Sequence, residues 1–175
     1  MSFSDLVSER CSIRAFKSRA LDKSAISQIL QVTAKAPSAG NLQAYEVVLI
    51  QDSRRRQVLA DAAWGQDFIA KAPVVLVFFA DPKLSASRYG NRGIELYCLQ
   101  DATVAAAYTQ LAVTDLGLGS VWVGAFQDEA VREAVDAPKD LVPVCILPIG
   151  YPDESPRPTP RRSLRDLVKE EKFDG

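Results

Sequence analysis

Arg10, Ser12 and Arg14 alternate along the run Arg10-Cys11-Ser12-Ile13-Arg14, and in an extended chain alternate residues share one side. Two guanidiniums and a hydroxyl on one side suit a phosphate and its adjoining sugar chain, because arginine offers planar, paired donors to anionic oxygens. Taken alone, the same pattern is that of a solvated basic strand making surface ion pairs. A second group stands at Ala36-Pro37-Ser38-Ala39-Gly40-Asn41-Leu42-Gln43. Turn formation accounts for Pro37, Gly40 and Asn41 without a ligand. Ligand contact at a strand end accounts for Ser38, Asn41 and Gln43 standing together before an apolar run. Neither reading outweighs the other from the residues alone. The third run, Gly117-Leu118-Gly119-Ser120-Val121-Trp122-Val123-Gly124, is not a dinucleotide loop. Trp122 stands where GxGxxG needs its last glycine, and the run closes a helix and opens a strand, the reverse of the order that aims helix N–H groups at a pyrophosphate. Gly124 marks either a close backbone approach to a flat ligand or a bend in a strand.

The chain has 175 residues and no histidine. Ser-His-Asp and Cys-His nucleophile systems, and most catalytic zinc and iron sites, depend on an imidazole, so hydrolase and metalloenzyme readings are poor. An enzyme of this composition would leave the hard chemistry to an organic cofactor. Cys11, Cys98 and Cys145 form no CxxC pair, and three distant cysteines read as reduced, buried small hydrophobes. A formal charge of -1 argues against general nucleic-acid binding, so the arginines bunched at 10–19, 54–56 and 157–165 must serve something local. No apolar run reaches the roughly 18 to 20 residues of a membrane span, and the first residues lack the basic head and apolar core of an export signal. The expected location is cytoplasmic.

The elements that must position these groups follow from periodicity and caps. Helices are expected over 4–9, over 22–35 behind Asp22, over 54–64 behind Asp52-Ser53, over 98–116 with Gly117 as its stop, over 128–135, and over 163–169 behind Ser163. Strands are expected over 46–51, 74–80, 120–125 and 145–151. The stretch from Tyr151 to Pro160 holds four prolines, which prevent regular structure and make the residues beyond Gly150 an arm on a single domain spanning 1–175. Alternating helices and strands by themselves predict a doubly wound, flavodoxin-like parallel sheet.

Taken in order, the N-terminal RxSxR, the APSAGNxQ loop, the GLGSxWxGxF segment and the basic tail resemble the nitroreductase family of flavoproteins, over nearly the whole chain. The resemblance implies an α+β fold with a mainly antiparallel central sheet flanked by helices, in place of the doubly wound one. It also implies a homodimer with an FMN at each interface site and a C-terminal arm reaching the partner. Carried over by position, Arg10 and Ser12 lie nearer the phosphate, and Arg14 nearer the N1 and O2 side of the ring, where it would stabilise the reduced flavin. Pro37, Ser38, Ala39 and Asn41 come from the opposite subunit. Gly124 and Ala125 face the ring near N5 and O4, Arg161 meets the phosphate with Arg162 as its substitute, and Gln66 is a looser match to the ring's polar edge. Gln66 reads equally as an exposed helix-start glutamine.

The implied chemistry is hydride transfer from NADH or NADPH through flavin N5 to a small-molecule acceptor such as a nitroaromatic, quinone or activated alkene. Specialised flavin chemistry of the same family, reductive dehalogenation or flavin destruction, is the alternative enzyme reading. A non-enzymatic FMN carrier or redox sensor is the binding one. The chain departs from the family's common pattern at Ala44-Tyr45, where Pro-Trp is frequent, and at Thr159, where lysine is frequent. One geometric expectation joins the resemblance to the residues. A helix of about 14 residues spans roughly 20 Å, so the Arg10–Arg14 and Ser38–Gln43 segments fall far apart in one chain and meet across a two-fold axis.

Overall fold

The computed structural model describes residues 2–155 and 159–173. Its helices are α1 (Phe3–Glu9), α2 (Lys23–Thr33), α3 (Ser53–Ala62), α4 (Phe68–Lys71), α5 (Pro82–Arg92), α6 (Cys98–Asp115), α7 (Asp128–Ala134) and α8 (Leu164–Leu167). Its strands are β1 (Tyr45–Ile50), β2 (Val74–Ala80), β3 (Gly119–Ser120) and β4 (Val142–Gly150). They form one sheet in the order β1-β2-β4-β3, and every paired neighbour is antiparallel. The doubly wound parallel sheet drawn from pattern alone is therefore wrong, and the antiparallel α+β architecture implied by the resemblance is right.

The reason lies in how the sheet is covered. Val75, Val77, Phe79 and Ile146 pack against α3, α4 and α7 through Leu59, Ile69 and Val131. Val74, Leu76, Phe78, Leu147 and Ile149 pack against α2 and α6 through Ile26, Ile29, Ala105 and Val113. With helices on both faces, β2 is buried at all seven positions and reads as a continuous apolar run, the pattern usual for parallel strands. The small residues of α6 let it lie close to the sheet, and its Thr109 hydroxyl meets that of Thr33 on α2 at 2.6 Å.

Four of the eight helices among the described residues start on a side-chain cap, and Asp22 stands at the N-cap of α2 without making that bond. The Asp52 side chain accepts from the Arg55 N–H, and Ser163 accepts from that of Asp166. Helix α5 was absent from the expected set because it has almost no apolar face, only Ser85 being buried; its signal is Asp81-Pro82, a cap followed by proline at the first turn. The expected strand 120–125 is reduced to β3. Val123 still exchanges both backbone bonds with Ile146, at 3.0 and 2.9 Å, in the register set by Ser120 and Ile149.

The N-terminal segment completes this edge. The Ile13 N–H donates to the Ser120 carbonyl at 3.0 Å, and a Cβ on Gly119 would meet Ile13 at 2.7 Å, so glycine at 119 is what admits the segment. Beyond β4, Lys17 bonds Tyr151 and Asp153 bonds Ala15, which ties residues 151–153 to the same segment. Of the proline-rich stretch, 156–158 lie outside the described residues, and with them Arg157 of the basic tail.

All three cysteines are free, with Cys98 and Cys145 buried and Cys11 partly so. Burial pushes the Cys145 thiol well above its ordinary value and raises that of Cys98. Because the thiolate is the nucleophile, iodoacetamide at about pH 8 is expected to label folded protein at Cys11 and to reach Cys98 and Cys145 only in denaturant. Peptide mapping by mass spectrometry checks this; labelling of Cys145 in the folded protein as fast as Cys11 would contradict it.

Candidate functional site

The Arg10–Arg14 segment leaves α1 at its cap residue, Arg10, whose backbone turns to an extended conformation. Ile13 is buried and Cys11 packs against the same core, so alternation turns Arg10, Ser12 and Arg14 to the other side. Arg10 and Ser12 are half-buried and Arg14 is exposed. Neither arginine joins an ion pair among the described residues. The backbone is clamped by a residue that sequence reasoning missed: one carboxylate oxygen of Glu154 accepts from the N–H groups of both Arg14 and Ala15.

The Pro37–Gln43 loop is held more tightly. Asp101 of α6, 3% exposed, accepts from the Ala39 N–H at 2.8 Å and the Ala44 N–H at 3.3 Å. Ser38 turns its hydroxyl back to the Gln43 N–H at 2.9 Å, and the Gln43 amide reaches the Asn41 side chain at 2.9 Å. Gly40, Asn41 and Gln43 all have positive φ, at 55°, 58° and 47°, a conformation that non-glycine residues hold only under constraint. A Cβ on Gly40 would fall 2.4 Å from the Tyr89 hydroxyl and 2.8 Å from the Arg88 guanidinium, so these two side chains of α5 close over the loop at Gly40 and would have to shift for any larger residue. Tyr45, just after the loop, donates to the Thr33 carbonyl; burial, then the Asp101 charge, raises its phenol above the ordinary value. Asp101 also escaped the sequence reading. Its signal was a lone carboxylate on the small-residue face of α6.

A third group assembles from two loops. The Gln66 amide donates to the carbonyls of Ala63 at 2.9 Å and Ala125 at 3.2 Å, so Gln66 and Ala125 are brought into contact, with Gly124 beside them. Gly124 and Ala125 are exposed and present backbone with little side chain. They lie four and five residues along from Ser120, about 13 to 17 Å in extended chain, and Ser120 is the bridge partner of Ser12.

The loop group stands apart from the Arg10–Arg14 segment. Asp101 holds it near the start of α6, whereas Cys11 and Ile13 line a groove with Thr114, Gly117 and Leu118 at the helix's far end. Thirteen helical residues separate these points, about 20 Å. Arg161 and Arg162 are exposed and bond the carbonyls of Thr159 and Asp166 within the tail.

The sequence model of the nitroreductase family matches residues 7–66 and 58–151. The chain belongs to the nitroreductase family. Among its relatives is the FMN reductase [NAD(P)H] of Bacillus subtilis, 31% identical over 163 residues that cover 86% of this chain and 66% of that protein. The structure of nitroreductase A from Vibrio parahaemolyticus aligns with a TM-score of 0.90 at 27% identity, covering 98% of this chain and 76% of that one. The NADPH:FMN oxidoreductase of Vibrio harveyi complexed with NAD+ aligns with a TM-score of 0.90 at 25% identity, covering 98% and 78%. No helix among the described residues is long and apolar enough to cross a membrane.

Proposed function

We propose that this nitroreductase-family protein is an FMN-dependent oxidoreductase that uses NADH or NADPH to reduce a small acceptor, a nitroaromatic or quinone. The observation that carries the reading is the line of groups along the β3 edge: Arg10, Ser12 and Arg14, whose two guanidiniums join no ion pair among the described residues, then the bare backbone of Gly124 and Ala125 with the Gln66 amide against it. Its donor set fits FMN, with cationic and hydroxyl groups for a phosphate and sugar chain at one end and a flat, nearly side-chain-free edge for a ring at the other. The names of the relatives, an FMN reductase and an NADPH:FMN oxidoreductase, support the same cofactors.

FMN, when bound, supplies the acceptance of hydride at N5 and its return to the second substrate. Arg10 and Ser12 bind the phosphate end, with Arg161 adding a second cation and Arg162 beside it. Arg14 places its charge at the N1 and O2 edge, where electron density gathers on reduction. Gly124 and Ala125 keep side chains clear of the reacting edge. Pro37, Ser38, Ala39 and Asn41 of a second copy cover the ring and limit water. The separation of this loop from Arg10–Arg14 along α6 supports a homodimer that shares its sites. The exposed apolar residues of the tail, Leu164 at 77% and Phe173 at 84%, support the part of the 151–175 arm beyond Ser155 as the part that packs on the partner, residues 151–154 being bonded to residues 14–17 of their own chain, in a single domain spanning 1–175.

The purified protein is expected to be yellow, to release FMN on denaturation, and to oxidise NADH or NADPH steadily with a quinone or nitroaromatic. Arg10→Ala, and separately Arg161→Ala, should weaken FMN binding by about 1.5 to 3 kcal/mol, roughly 10- to 150-fold in Kd. A colourless protein that takes up no added FMN would sink the proposal. Unchanged affinity in both variants would return these arginines to the solvated surface.

A further inference from the structure

Two further arginines stand against the loop that carries Ser38 and Asn41. The Arg88 guanidinium donates to the Gly40 carbonyl at 3.2 Å and lies 5.6 Å from the centre of the Tyr89 ring. Arg92 lies 5.4 Å from the Tyr97 ring and donates through Nε to the Tyr97 hydroxyl at 2.9 Å. The two rings meet edge to face at 5.0 Å, so each guanidinium stands beside one ring of the same aromatic pair. Gly90, with φ 53° and ψ -138°, interrupts α5 between them. Both arginines are exposed and neither joins an ion pair among the described residues; Glu95, on the following turn, pairs with neither. A guanidinium held beside a ring, within about 6 Å of its centre, and anchored by one hydrogen bond is partly oriented in advance and keeps its remaining N–H edge for a planar anion.

We propose that Arg88 and Arg92 form an anion-binding subsite at the rim of the reducing pocket, which selects substrates bearing anionic oxygens. This rests on the flavin reading above, because the loop that Arg88 touches is the one assigned there to the ring. The anion has two sources, a carboxylate on an aromatic acceptor or the additional phosphate that distinguishes NADPH from NADH. Each offers the same chemistry to the two guanidiniums.

The test measures binding to the oxidised, FMN-loaded full chain by calorimetry without turnover, comparing para-nitrobenzoate with para-nitrobenzamide and NADP+ with NAD+. Wild type is expected to prefer the anionic member of one pair by about tenfold. That preference should disappear in R88Q/R92Q, fall with added salt, and survive in part in R88K, while the flavin spectrum remains. Loss confined to the nitrobenzoate pair assigns the subsite to the acceptor, and loss confined to the nucleotide pair assigns it to the hydride donor; either supports it. If R88Q loosens the loop and FMN is lost, R92Q alone, which leaves the Gly40 contact in place, carries the comparison. Ratios unchanged for both pairs in a variant that still holds FMN overturn the subsite and leave the flavin reading standing. A protein that takes up no FMN overturns both.

Discussion

Asp101→Ala is expected to lower stability by about 2 to 5 kcal/mol and to weaken FMN binding on the order of 100-fold, although Asp101 lies behind the loop. Its two carboxylate oxygens satisfy the Ala39 and Ala44 N–H groups at the two ends of the loop, and Ala44 is fully buried. Removing the carboxylate leaves both donors without a partner, at roughly 1 to 3 kcal/mol each, offset in part by removal of a buried charge. The conformation between them is also costly, with Gly40, Asn41 and Gln43 at positive φ, and such strain persists only while the surroundings impose it. Freed at both ends, the loop would relax and carry Ser38 and Asn41 away from the ring they are assigned to cover. Asp101→Asn keeps one acceptor oxygen and should fall between. Thermal unfolding followed with an FMN titration checks both quantities. A D101A protein as stable as wild type, with wild-type FMN affinity, would remove the carboxylate from any positioning role.

Asp101 also marks where sequence reading stops. The alternation of Arg10, Ser12 and Arg14, the turn residues of the loop and the bareness of Gly124 are local properties, and local chemistry made them visible. The residues that hold them in place are not local. Asp101 acts on residues 57 and 62 positions away, and Glu154 on residues 139 and 140 positions away. Neither spacing has a periodic signature. The fold divides in the same way. Caps at Asp52 and Ser163 set helix starts that were legible in advance, whereas the direction of β2 was not, because burial on both faces erases the alternation that distinguishes an antiparallel strand. Helix α5 escaped because it buries almost nothing, yet it brings Arg88 and Tyr89 onto Gly40. The expected helix over 22–35 is shorter, Lys23–Thr33, and the separation once assigned to it belongs chiefly to α6.

That separation makes the largest expected effect a matter of which chain supplies which group. If each FMN takes Arg10, Ser12 and Arg14 from one copy and the Pro37–Asn41 loop from the other, then Arg10→Ala and Asp101→Ala each spoil both sites of their own homodimer. In a mixed dimer, one site collects both defects and the other collects neither. Random pairing of the two variants makes half of all dimers mixed, so roughly a quarter of all sites regain wild-type FMN binding from two defective parents. Co-expression with two tags, followed by tandem purification of mixed dimers, raises this to about one intact site per dimer. The tail sharpens the same test. A cut after Gly150 would also remove the bonds of Tyr151, Asp153 and Glu154 to residues 14–17, whereas a cut after Ser155 spares them and removes only the arm. The shorter deletion is expected to weaken dimerisation and FMN retention together in sedimentation measurements with detection at flavin wavelengths. Mixed dimers that bind no more FMN than their parents would place each site within one chain, and an FMN-loaded monomer would do the same.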